Sequence, residues 1–127
     1  KSGIDQLANT GVSLIITVDT GSTAHKEIEY AKKKSIDVIV TDHHELGPSL
    51  PKAVAVINPK RKDSKYPTRE LAGVGVAFTL IRAMQKAGIG LESSQEKWLL
   101  DLVAPRIVPH CRISFNTLRS CTLWRNT

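Results

Sequence analysis

With 127 residues, 41% of them hydrophobic, the chain suits one small domain or part of a larger one and can form a core. No apolar run approaches the ~20 residues of a membrane span and no signal-peptide pattern is visible, so no membrane role is expected. The net charge of +6 points only weakly to nucleic acid: residues 1–104 hold 14 Lys and Arg against 12 Asp and Glu, while residues 105–127 hold four Arg and no acid.

In chain order, IDQLAN (4–9) reads as the end of a helix that Gly11 stops. SLIITVD (13–19) is apolar and β-branched, too short for a helix and too apolar for an edge, so a buried parallel strand is expected. Gly21-Ser22-Thr23 makes a turn. A helix follows from about 24 to 34, with Ala24, Ile28 and Ala31 on one face and Lys32, Lys33 and Lys34 at its negative end. IDVIVTD (36–42) is a second buried strand, and the three elements form a βαβ unit. AVAVIN (53–58) is a third strand, and 59–70 is a polar loop. A helix spans 73–88, entered through a glycine turn and ended by Gly88. Another spans 93–104, capped by Ser93 or Ser94, with Trp98, Leu99, Leu102 and Val103 facing the core. The fold class is α/β, a parallel sheet flanked by helices.

Ligands of parallel α/β sheets bind beyond the carboxyl ends of the strands. Two consecutive strands here end in chemistry-bearing residues: one in Asp19, the other in Asp42-His43-His44. If the strands are neighbours, Asp19 and His43 lie within a few Å. A carboxylate and an imidazole suit a divalent ion such as Mn²⁺ or Zn²⁺, which can supply hydroxide near neutral pH. The second histidine could bond a substrate phosphate, and Asp42 could orient an imidazole. His25, early in a helix, reads as a surface residue, and His110 is assigned no role.

The ordered set VDTG, TDHHE, INPK and ELAGVGVAF resembles the DHH phosphoesterase superfamily, and within it the exonucleases specific for single-stranded DNA. The resemblance covers about residues 1–104. It implies a catalytic domain with two metal ions, Mn²⁺ or Mg²⁺. It also implies Asp19 as the carboxylate bridging them, His43 as a metal ligand, His44 as the contact to the scissile phosphate, and Asp42 as their support. Asn58, Gly73 and Gly75 match further family positions assigned to substrate binding. The glycines either let helix N–H groups hold a phosphate or serve only a tight turn. The implied activity is trimming of single-stranded DNA from its 5′ end in repair and recombination. Single-strand-binding protein and a helicase are partners by family analogy. Two rivals stand beside this: a phosphodiesterase acting on oligonucleotides or cyclic dinucleotides, and a degenerate binding module without catalysis. Lys60, Arg61, Lys62, Lys65 and Arg69 are either DNA-backbone contacts or an idle solvated run.

The chain departs from the family pattern in two places. A DxDxDG-type motif, which adds metal ligands, would lie upstream of residue 1; with Lys rather than Met first, the chain reads as a piece of something longer. After LLDLVA (99–104) a Leu-Gly-Thr-like segment with an Asp ligand is expected, but PRIVPHCRISFNT follows, and Asp101 lies too early to replace that ligand. Residues 105–127 are therefore expected to be an atypical tail, for which a frame-shifted reading is one origin. Both cysteines, Cys111 and Cys121, fall there, and the cysteine-free body fits a reducing cytoplasm. With so few carboxylates, the 127 residues alone are expected to hold at most one ion weakly and to lack useful nuclease activity.

Overall fold

The computed structural model describes residues 2–90 and Leu99. Within residues 2–90, three helices and three strands follow in the order α1 (Ser2–Asn9), β1 (Leu14–Val18), α2 (His25–Lys33), β2 (Asp37–Thr41), β3 (Ala55–Ile57) and α3 (Gly73–Lys86). The strands pair in the order β1-β2-β3, both pairs parallel. This is the expected α/β architecture, with strand and helix ends within a few residues of the sequence reading. The helix expected over 93–104 and the tail from 105 lie outside the described residues, apart from Leu99, which is helical.

One face of the sheet packs on α2. Its core consists of Ile28 and Ala31 from α2, Ile36, Val38 and Val40 around β2, and Val56 from β3, with Ile4, Ala8, Val12 and Ile15 packed against it. Val40 is fully buried, which is worth about 1.5–3 kcal/mol relative to exposure. Ala24, Ile28 and Ala31 meet the core through one face of α2, as their spacing requires. The helix ends in a Schellman turn: Ser35 takes φ +59°, and the Ile36 N–H donates to the Ala31 carbonyl at 3.0 Å. That turn points Ile36 into the core at the start of β2.

The expectation of a buried first strand needs correction. Leu14, Ile16 and Val18 are 45–53% exposed. Among the described residues β1 has a neighbour strand on one side only, and these three side chains stay largely exposed although α3 also approaches the strand. Apolar composition reports that a strand needs cover, and it does not say from which element the cover comes.

Register is what builds the site. Val18 pairs with Thr41, and Thr41 with Ile57. The next residue of each strand, Asp19, Asp42 and Asn58, therefore falls in one row along the carboxyl edge. The ladder runs on into that row: the Asp19 N–H donates to Thr41 O at 2.9 Å and the Asp42 N–H to Ile57 O at 3.0 Å.

Candidate metal centre

Asp42 is 2% exposed, and both of its carboxylate oxygens are engaged. Its Oδ2 accepts from the Ser22 N–H at 2.9 Å. Its Oδ1 accepts from the His43 N–H at 2.8 Å, the His44 N–H at 3.2 Å and the His44 ring Nδ1 at 2.7 Å. Burial alone would push this carboxyl up. The Ser22 N–H and the ring and backbone N–H of His44 more than offset that and hold it well below the usual carboxylate range. An ionised carboxylate only accepts, so the His44 Nδ1 carries the proton in that bond. The ring's Nε2 is left for a ligand, on a side chain that is 62% exposed. Asp42 thus shapes the loop and fixes the orientation of His44.

Asp19 stands in the left-handed region at φ +62°, one of two non-glycine residues there among those described. Such a conformation is tolerated by Asp but uncommon, and it turns the side chain off the line of β1. The Asp19 Oδ1 lies 2.9 Å from His43 Nε2, so the expected proximity of these two groups is present. Asp19, His43 and His44 each offer a ligand atom, all within 4.8 Å of one another. Two ligands at right angles, each about 2.1 Å from an ion, sit about 3 Å apart. The Asp19–His43 spacing therefore fits a pair that could share one divalent ion, and the carboxylate-imidazole donor set has the right chemistry for Mn²⁺ or Zn²⁺.

Asn58 does not face the site opening. It is 3% exposed, and its amide hydrogens go to Ser22 Oγ at 2.9 Å and His44 O at 3.0 Å. Its carbonyl oxygen accepts from the Lys60 N–H at 2.9 Å. With its amide hydrogens engaged inside the protein, Asn58 joins three loops and has no donor to offer a substrate. In this structure its contacts are those of a brace between loops. Ser22 is the residue that sequence reading misses. Its position in a Gly-Ser-Thr turn suggests nothing more than the turn, yet it is buried and links the Asp19 loop to both Asp42 and Asn58. No spacing rule singles out a serine whose partners are 20 and 36 residues away.

The glycines separate as well. Gly73 opens α3 directly beside Asp19: a Cβ there would stand 2.6 Å from Asp19 Cγ and 2.8 Å from its Cβ. A Cβ on Gly75 would instead meet the Leu71 side chain at 2.7–2.8 Å. Gly75 is thus a packing glycine, while Gly73 touches the site. In the charged loop, Lys60 pairs with Glu45 at 2.7 Å, which raises the lysine and lowers the carboxyl. Arg61 forks onto Asp63 and donates to the Val56 carbonyl at 2.6 Å. These two cations are structural partners of the fold. His25, the first residue of α2, is half-buried.

A family model described as the DHH family, N-terminal domain, matches residues 2–105. The chain is 57% identical over 74 residues to the single-stranded-DNA-specific exonuclease RecJ of Bacillus subtilis, covering 58% of this chain and 9% of that protein. It is 49% identical over 82 residues to the Escherichia coli protein of the same name, covering 65% and 14%. Among solved structures, RecJ from Thermus thermophilus in complex with Mn²⁺ aligns with a TM-score of 0.57 at 32% identity, over 70% of this chain and 13% of that one. A second, exonuclease RecJ bound to manganese, aligns with a TM-score of 0.52 at 31% identity, over 67% and 22%. The chain spans less than a quarter of the length of each of these relatives.

Proposed function

The chain belongs to the DHH family and corresponds to part of the DHH domain of RecJ-type proteins; from that premise we propose that it carries strand ends of a metal-dependent exonuclease acting on single-stranded DNA from the 5′ end, in DNA repair and recombination. The observation that carries this reading is the convergence of Asp19, His43 and His44 at the carboxyl edge of neighbouring parallel strands. Asp19 and His43 would hold the ion, Mn²⁺ or Mg²⁺, which when bound would supply hydroxide near neutral pH and draw charge from a phosphoryl oxygen.

The remaining work belongs to the chain's own side chains. Asp42 keeps the Nδ1 proton of His44 in place, so that Nε2 is presented outward at a fixed angle. In the imidazolium form that Nε2–H donates to a phosphate oxygen. Ser22 and Asn58 stop the two site loops from moving apart. The second ion of the family site needs carboxylates beyond those of residues 2–90. The 127 residues by themselves bind one ion weakly and do not turn over DNA. In a protein of the relatives' length, single-stranded DNA is the substrate, with single-strand-binding protein and a helicase as partners by analogy. Residues 1–104 are read as the family unit and 105–127 as a segment of different origin, which DNA sequencing across codon 104, with mass spectrometry of the expressed chain, tests.

The test of the function has two arms. Mn²⁺ titration of the 127-residue chain should show a single weak site that Asp19→Asn removes. A longer protein containing this segment should degrade 5′-labelled single-stranded DNA in Mn²⁺ and leave duplex and cyclic dinucleotides intact. Absence of any Asp19-dependent Mn²⁺ binding overturns the metal reading, and preference for dinucleotides overturns the substrate.

A further inference from the structure

Three features converge on one backbone position. Asp19 holds a left-handed conformation that few side chains adopt. The first residue of α3, Gly73, is buried against that side chain, with no room for even a methyl group between them. The cap position of α3 is Ala72, which offers no side-chain hydrogen bond to the first N–H groups of the helix. The Asp19 carboxylate therefore lies where an uncapped helix N-terminus favours negative charge.

We infer that Gly73 is a positioning residue for Asp19: the missing side chain lets the start of α3 seat against the carboxylate and fixes which way its oxygens face. This inference deepens the metal reading above, yet its central contact exists without any ion. A methyl group at 73 would have to push Asp19 aside, because α3 is itself held by Val76 and Leu71 in the core. Turned aside, Asp19 would leave His43 Nε2, and the donor set would open. A methyl group at Gly75, two residues on, would press on the flexible end of Leu71 and not on Asp19.

The experiment is a double-mutant cycle read by thermal melting in the presence of a chelator, joined to Mn²⁺ titration and ¹⁵N imidazole shifts of His43. Gly73→Ala is made in the parent and in the Asp19→Gly background, and Gly75→Ala serves as the comparison. Glycine accepts φ +62° at position 19 and removes every side-chain atom the new methyl would strike. The expected result is that Gly73→Ala lowers the melting temperature by several degrees in the parent and by much less in the Asp19→Gly background, the signature of direct coupling. In the parent it should also move the His43 ring shifts towards those of Asp19→Asn and weaken Mn²⁺ binding by about tenfold or more, whereas Gly75→Ala should change neither. Equal destabilisation in both backgrounds overturns the inference, as do unmoved His43 shifts. If Gly73→Ala fails to fold, rescue by Asp19→Gly supports the inference and failure of rescue overturns it. If the parent binds no Mn²⁺, the metal reading fails while melting and ring shifts still decide the role of Gly73.

Discussion

Replacing Asp42 by Asn keeps the outline of a buried carboxylate and removes its charge. The new carbonyl can take over from Oδ1, which accepts from His43 N, His44 N and His44 Nδ1. The new NH₂ then stands where Oδ2 accepted from the Ser22 N–H, donor against donor at 2.9 Å. A buried donor left unpaired costs about 1–3 kcal/mol, and a hydrogen bond to a charged group is worth about 1.5–3 kcal/mol. A loss of about 3 kcal/mol is expected, a fall of roughly 12 °C or more in melting temperature for a domain near 100 residues. The pH dependence gives a second signature. The folded carboxyl lies below its unfolded value, so between the two the unfolded state binds more protons and stability rises with pH. The contribution is complete above the unfolded pKa and shrinks as pH falls towards the folded one; by about pH 3 roughly 1 kcal/mol of it should be gone. Urea unfolding of parent and variant at pH 7 and about pH 3, with chelator present, measures both effects. A gap under about 0.5 kcal/mol at pH 7, or a gap that does not narrow in acid, would refute the role given to Asp42.

Asp19→Asn should remove Mn²⁺ binding by calorimetry while leaving stability within about 0.5 kcal/mol, because the side chain is 58% exposed and Asn also tolerates the left-handed backbone. Asn58→Ala strips hydrogen bonds from Ser22 Oγ, His44 O and the Lys60 N–H, and should cost about 1–3 kcal/mol. Amide exchange should then speed up in both site loops, and unchanged protection there would count against the bracing role. Arg61→Ala loses its bond to the Val56 carbonyl and should destabilise by about 1 kcal/mol, whereas Lys62→Ala should be near neutral; denaturant midpoints separate the two.

The βαβ unit is legible in the sequence because its signals are local. Alternating blocks of β-branched residues, a helix with Ala24, Ile28 and Ala31 on one side, and lysines at its end each speak for their own segment. The convergence of Asp19 with His43 is also legible, since two neighbouring parallel strands must bring their carboxyl ends together. What escapes is whatever depends on register and depth. Asn58 falls in the same row as Asp42 because Thr41 pairs with Ile57, and its amide is buried among the loops that meet there. Ser22 and Gly73 owe their importance to neighbours far away in the chain. The exposure of β1 escapes for a related reason: apolar content cannot distinguish a strand covered on both faces from one awaiting cover.

That strand has a consequence for handling. LIITV contains no charge and no proline, the usual devices that keep a sheet edge from recruiting another strand. Among the described residues its outer hydrogen-bonding groups face no partner strand. Where no other segment pairs with it, this edge should self-associate in concentrated preparations. A lysine in place of Ile16, on the outward face away from the row of Asp19, is the natural way to keep it in solution.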